Sequence, residues 1–207
     1  MLSIEPHPQL DVAIFCSQFA KPLGQVTTPA VVLDYLQQRV QSPMTSEDAV
    51  RKAVRDMLRC RGYKPTGRGK PASEYLAKAL AAERLGSVNA AVDTCNAVSL
   101  NSGLPISVLD LHKAAGPWSI AAADAEAQYV FNPAGQVIAL AGLLCLFDAN
   151  GPCANGVKDS QRTKTDETTS RTLTVIWGTH GLPGRTAETA QWYLELLTLC
   201  GATSEQW

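Results

Sequence analysis

Charge, aromatic rings and histidine are all scarce in this chain of 207 residues: charged residues make up 18%, aromatics 6%, and there are 3 histidines. Lys+Arg at 18 against Asp+Glu at 19 gives a net charge of −1, which excludes a histone-like or strongly acidic tail. No apolar run reaches the ~20 residues that a membrane helix needs, and the best candidate, Val137 to Phe147, is too short. The opening MLSIEPHPQL has no basic stretch leading into an apolar one, so it does not read as a secretory leader. Cys16, Cys60, Cys95, Cys145, Cys153 and Cys200 contain no C-x-x-C pair. They read as free, mostly buried thiols in a reducing, cytoplasmic setting. His7, His112 and His180 show no metal-ligand spacing, and no metal or other cofactor is expected.

The common chemical motifs are missing as well. GYKPTGRGKPAS looks like a phosphate loop, but Gly67 is followed by Arg68 and Lys70 by Pro71, which breaks the G-x-x-x-x-G-K-[ST] spacing. There is no dinucleotide-binding glycine pattern after a strand, no H-E-x-x-H and no G-x-S-x-G elbow.

What is present is a patterned globular chain with 45% hydrophobic residues, enough for a substantial core. DVAIFC (Asp11 to Cys16) reads as a strand. Thr28-Pro29 opens a helix with Val32, Leu36 and Val40 on its buried side. Ser46 is placed to cap the next helix, where Val50, Ala53, Val54, Met57 and Leu58 follow a 3.6-residue period and Gly62 marks the end. The loop Tyr63 to Pro71 is expected to be exposed and mobile, and a helix from about Ala72 to Arg84 turns Leu76, Ala79 and Leu80 inward. Ser87 to Leu100 forms another helix, with Val88, Ala91, Val92 and Cys95 apolar and Asn89, Asp93 and Asn96 in a polar stripe. Strands are expected at Leu104 to Asp110, Trp118 to Ala123, Gln136 to Phe147 and Leu173 to Gly178, with a polar connection between the last two. A final helix begins near Thr186 and Gly201 caps it. Helices followed by mostly consecutive strands give a mixed α+β (α/β) fold in one module over 1–207, with 1–45 as a strand-helix lead-in.

The near-zero net charge hides a split. Arg51, Lys52, Arg55, Arg59, Arg61, Lys64, Arg68 and Lys70 are opposed locally by Asp56 alone. Between residues 86 and 157 the sole cation is Lys113, against Asp93, Asp110, Asp124, Glu126 and Asp148. Arg51, Arg55 and Arg59 lie four apart and share one helix face. Either they form a footprint for a phosphate backbone, joined by Lys52, Lys64, Arg68 and Lys70, or they are a solvated face. Tyr63 is the one aromatic nearby, so such a surface would hold backbone and not read bases.

VNAAVDTCNAVSLNSGLPISVLDLHKAAG (Val88 to Gly116) resembles the editing module formed by the third and fourth domains of the phenylalanyl-tRNA synthetase β subunit. The likeness rests on Val92, Asp93, Asn96, Val98, Leu100, Gly103, Pro105 and Asp110. RDMLRCRGYKPTGRGKPASEYL (Arg55 to Leu76) is closer to freestanding relatives of that module, and KDSQRTKTDETTSRTLTVIWG (Lys158 to Gly178) resembles its polar loop and late strand. The likeness covers roughly residues 50–178.

The resemblance implies a mixed sheet flanked by helices, with one metal-free pocket that hydrolyses a mischarged aminoacyl-tRNA ester. Two positions depart from it. Ser107 stands where the synthetase has an editing histidine, and Ser160 falls near a glutamate. The implied catalytic group is then Ser107, Asn96 and Ser160, and the implied substrate-binding group is Ser99, Asp110, Lys158 and Asp159. A structural explanation stays open for each: Asp110 as a turn cap, Asp93 and Asn96 as backbone-bonding groups, Lys158 as a loop cation. The competing functions are a freestanding editing hydrolase, a non-catalytic tRNA or RNA binder, and a pocket for an amino acid or other small metabolite. The oligomeric state stays open, with a monomer plausible.

Overall fold

The segment RTLTVIWGT is β-branched and apolar, as a strand buried on both faces must be. It forms β9 (Arg171–Thr179), with all but Arg171 buried. The computed structural model describes residues 2–207. β9 is paired on both sides, antiparallel to β2 (Leu10–Phe19) and to β3 (Ile106–Asp110). β10 (Ala202–Gln206) extends the sheet beyond β2, giving the order β10-β2-β9-β3. A second sheet has the order β1-β4-β7-β8, from β1 (Leu2–Ile4), β4 (Trp118–Ala122), β7 (Leu144–Asp148) and β8 (Gly151–Asn155). β5 (Gln128–Val130) and β6 (Val137–Ala139) make a separate hairpin. The fold is mixed α+β, as the sequence predicts.

The helices are α1 (Ala30–Leu36), α2 (Asp48–Arg59), α3 (Ala72–Ala81), α4 (Ala90–Ser102) and α5 (Arg185–Leu199). α4 is buried on almost every side, and its small residues Ala90, Ala91, Ala97 and Ser99 let its neighbours approach. Its start is built from polar groups. Asn89 caps it by accepting from the Val92 N–H at 3.0 Å. Asp93, fully buried, accepts from Thr28 Oγ1 at 2.7 Å, Ser87 Oγ at 2.6 Å and the Val88 N–H at 2.7 Å. The polar stripe of α4 thus serves packing at Asp93. At the other end Gly103 adopts φ +75°, and a Cβ there would lie 2.6 Å from Ser46 Oγ.

Several elements differ from expectation. α1 stops at Leu36, so Val40 is exposed. Ser46 does not cap α2, whose N-cap is Glu47 without a side-chain bond. Ser87 and Val88 precede α4, and Val88 is exposed. α3 ends at Ala81, and Leu76, Ala79 and Leu80 are only half-buried. The Gln136 to Phe147 run is two strands, because Gly142 at φ +70° turns the chain between them. The polar connection after Phe147 contains β8, whose pairing with β7 outweighs the poor strand propensity of Gly151 and Pro152. The 63–71 loop is pinned: Tyr63 and Tyr75 donate their hydroxyls to the Gly69 and Gly67 carbonyls, at 3.1 and 3.2 Å.

Removing the Asp93 carboxylate takes the shared acceptor away from Thr28, Ser87 and the Val88 N–H, the contacts that tie the start of α4 to its neighbours. Asp93→Ala should cost roughly 2–4 kcal/mol of stability in urea unfolding. A loss below about 0.5 kcal/mol, the range of neutral surface changes, would show that the clasp does not hold α4.

Candidate functional site

The loop after β8 is wound around one side chain. Asn155 Oδ1 accepts from the Val157 and Lys158 N–H groups, at 2.8 and 2.9 Å. Its amide nitrogen donates to the Tyr129 hydroxyl, which donates in turn to the Lys158 carbonyl. This sets Asp159 at the edge of β3. Asp159 Oδ1 accepts from Ser107 Oγ at 2.7 Å and from the Asn155 N–H at 3.2 Å. Ser107 accepts in turn from Trp177 Nε1 at 2.9 Å. Burial pushes the Asp159 carboxyl up to about 6, while the Ser107 and Asn155 hydrogen bonds and the charge of Lys164 pull it down. The result is a carboxyl that changes state near neutral pH, where an acid-base group is most useful.

Asp159 opens onto a cavity of about 360 Å³ between α4 and β3. Asn96, Cys95, Ile106, Val108, Lys164 and Thr165 contribute to its wall. Asn96 has no side-chain hydrogen bond among the described residues, so its amide is available to a ligand. Cys95 is no candidate nucleophile. Its thiol donates to the Ile106 carbonyl, and burial pushes its pKa far above neutrality.

Lys158 belongs both to this cavity and to a neighbouring groove of about 820 Å³. Tyr63, Tyr75, Phe131 and Arg68 line that groove. The Lys158 ammonium lies 4.3 Å from the Phe131 ring centroid and 5.4 Å from that of Tyr75. Burial and then the nearby Arg68 charge lower its pKa.

The structure therefore brings Asn96, Lys158 and Asp159 together and separates the rest of the expected group. Ser107 is buried behind Asp159 and does not line the cavity; β-strand alternation gives that face to Ile106 and Val108. Its hydroxyl is taken up by Asp159 and Trp177. Ser99 is buried and donates to the Leu104 carbonyl at 2.7 Å, closing the end of α4. Asp110 caps the turn after β3, accepting from the His112 N–H at 2.8 Å and Thr169 Oγ1 at 2.7 Å. Ser160 is buried and accepts from the Arg162 N–H at 3.3 Å, capping a short 3-10 turn.

The basic stripe is also corrected. Arg51 pairs with Asp48, Lys52 and Arg59 with Asp56, Arg55 with Glu74, and Arg61 with Glu5. Asp48 lies a turn before Arg51, and Glu74 and Glu5 come from distant segments, so the local excess of cations is offset in three dimensions. Lys64, Arg68 and Lys70 form no ion pair among the described residues, and of these Arg68 lines the groove. Tyr75 and Phe131 supply the aromatic surface that the neighbourhood of the basic helix lacks in sequence. Among the described residues no cluster of three or more His, Cys, Asp or Glu is placed to hold a metal.

The family profile of the B3/4 domain matches residues 59–191. The chain belongs to the B3/4 domain family. In this B3/4 chain the match takes in α3, α4, β3 and the whole Asn155–Asp159 loop, so both the cavity and the groove lie within it. Among solved structures, the B3/4 chain is similar to an N-terminal fragment of the phenylalanyl-tRNA synthetase β subunit from Pyrococcus horikoshii. The identity is 13%, the TM-score 0.47, and the alignment covers 55% of this chain and 40% of that one. No curated protein matches the chain. No helix among the described residues is long and apolar enough to cross a membrane.

An acid whose folded pKa lies above its unfolded value keeps its proton while the unfolded chain releases it, so folding is penalised as pH rises from about 4 to above 6. Asp159→Asn carries no such penalty. Its stability relative to the parent should therefore improve between about pH 4 and pH 7, by roughly 1–3 kcal/mol in paired urea titrations. A difference that stays flat with pH rejects the raised value.

Proposed function

We propose that this B3/4 chain binds the 3′ end of an aminoacyl-tRNA and hydrolyses the ester that joins amino acid to ribose. The observation that carries the reading is Asp159: a carboxyl poised near neutrality, held by Ser107, on the wall of a cavity that adjoins a cationic and aromatic groove. The cavity receives the amino acid. The groove receives the last nucleotides, with Lys158 and Arg68 at phosphate and the faces of Tyr75 and Phe131 open to bases. A tRNA partner makes this an RNA-related, cytoplasmic activity, and the step needs no metal or cofactor.

Ionised Asp159 takes a proton from water as the water oxygen attacks the ester carbonyl carbon. The Asn96 amide donates to the carbonyl oxygen as negative charge develops there. The bond between the carbonyl carbon and the ribose oxygen then breaks, and Asp159 returns its proton to that oxygen. The products are a free amino acid and a tRNA with its terminal hydroxyl restored. Ser107 keeps the carboxylate oriented throughout and contributes no proton of its own. This replaces the expectation that Ser107 itself acts, and it assigns Lys158 to binding. Arg51, Lys52, Arg55 and Arg59 contribute at most a screened outer contact, because each is already paired.

The test is deacylation of a panel of mischarged tRNAs. One amino acid should be released preferentially, with the rate rising through about pH 6 as Asp159 ionises. Asp159→Asn should lower kcat by roughly 100-fold or more, as loss of a general base does. Asn96→Ala should cost roughly 10-fold or more, a weak oxyanion donor's share. Lys158→Ala should raise KM, and Ser99→Ala should change neither. Salt-sensitive tRNA retention without release would leave a binding module, whereas salt-insensitive binding of a free amino acid would make the cavity a metabolite site.

A further inference from the structure

The Asp159 cavity divides by element. Apart from Asn96, its polar groups come from the segment after β7: Asn155, Lys158, Asp159, Lys164 and Thr165. α4 and β3 supply a wall of hydrocarbon and one thiol, from Val92, Cys95, Ile106 and Val108. Valine and isoleucine are stiff at χ1, so this wall has a fixed shape. No aromatic ring lines the cavity; Tyr63, Tyr75 and Phe131 all belong to the neighbouring groove.

Most of the polar groups are already committed. Asn155 spends its Oδ1 on the Val157 and Lys158 N–H groups and its amide nitrogen on Tyr129. Thr165 Oγ1 accepts from the Asn89 amide at 3.3 Å. Both lysines turn their ammonium groups to Phe131, a residue of the groove and not of the cavity. Lys164 donates to its carbonyl at 2.5 Å, and Lys158 lies over its ring. Asn96 and Asp159 are left, and the proposed hydrolysis uses both at the ester. The side chain of a bound amino acid is then met by the α4 and β3 wall. A hydroxyl, amide or charge placed there gives up water without gaining a partner, whereas a hydrocarbon side chain gains by burial.

We propose that the amino acid released from this cavity is aliphatic, of the valine, isoleucine or leucine class, and that Val92 and Val108 set the preference. The inference rests on the hydrolysis proposed above and adds the class of its substrate. Val108 presents its methyl groups from β3 and Val92 from the facing side of α4, so the acyl side chain sits between the two elements while its ester stays beside Asp159.

The experiment uses pairs of equal shape and unequal polarity. The purified full chain is given tRNA charged with valine or threonine, and with leucine or asparagine, and release is timed. Valine should exceed threonine by about 100-fold in kcat/KM, the ratio that a hydrocarbon pocket achieves against one added hydroxyl. Analogues of the aminoacylated terminal adenosine, with an amide in place of the ester, are titrated alongside by calorimetry and should bind in the same order. Val108→Thr adds a hydroxyl to the wall at constant volume and should narrow the valine-to-threonine ratio by roughly threefold to tenfold, one hydrogen bond's share. Val92→Ala widens the wall and should shift preference from valine toward leucine by roughly tenfold. Val92 is only half-buried and alanine is the better helix former, so this variant keeps the test intact if Val108→Thr fails to fold.

Faster release of threonine, asparagine, an aromatic or a charged amino acid overturns the aliphatic class and leaves the hydrolysis standing. Ratios unmoved by both variants overturn the assignment to Val92 and Val108. Analogues that bind in the aliphatic order without release from any tRNA support the class and remove the hydrolysis. Absence of both release and analogue binding overturns the two together.

Discussion

Trp177, Ser107 and Asp159 form a line of hydrogen bonds that joins the middle of one sheet to the loop that follows the other. The arrangement around the candidate site depends on this line. Trp177 comes from β9, Ser107 from β3, and Asp159 from the turn that Asn155 winds after β8. Burial makes a carboxyl held this way costly to keep ionised. Arg162 secures the same loop from below by a bidentate pair with buried Asp148, at 2.8 and 2.9 Å, so the loop is tied to β7 as well as to β3.

The distribution of charge follows a second rule. Cations that crowd one stretch of sequence find carboxylates from elsewhere in the fold: Arg55 reaches Glu74 and Arg61 reaches Glu5. The charge that remains available is less concentrated but better placed. Lys158 and Arg68 sit among three aromatic rings, with a lower local dielectric than an exposed helix face offers. A small number of cations in a shaped groove discriminates ligands more sharply than a larger number on an open helix.

Much of this was legible in the residues. The period of α2, the β-branched run of β9 and the glycine after α4 identify those elements without a structure, and three of the residues that the resemblance singles out, Asn96, Lys158 and Asp159, line one cavity. What escaped has definite physical causes. β8 carries glycine and proline and becomes a strand only through its pairing with β7. Ser107 is a polar residue in an apolar strand, a pattern compatible with facing a cavity or with serving a buried partner. The partner, Trp177, lies 70 residues away. Tyr75 and Phe131 are 56 positions apart by number, and nothing local announces that one lysine will meet both. Long-range side-chain encounters of this kind set most of the site and leave no periodic trace.

The topology also governs when the chain can fold. β2 has only two strand neighbours, β9 and β10, both formed from residues 171–206. While the chain is being made, a ten-residue apolar strand must therefore wait unpaired for well over a hundred intervening residues. α4, with almost no exposed face, waits beside it for the sheet that will bury it. Contacts so distant in sequence slow the search and leave sticky surface exposed on the way. Nascent chains of this fold therefore carry that surface uncovered until the second half of the sheet emerges, however stable the finished molecule is.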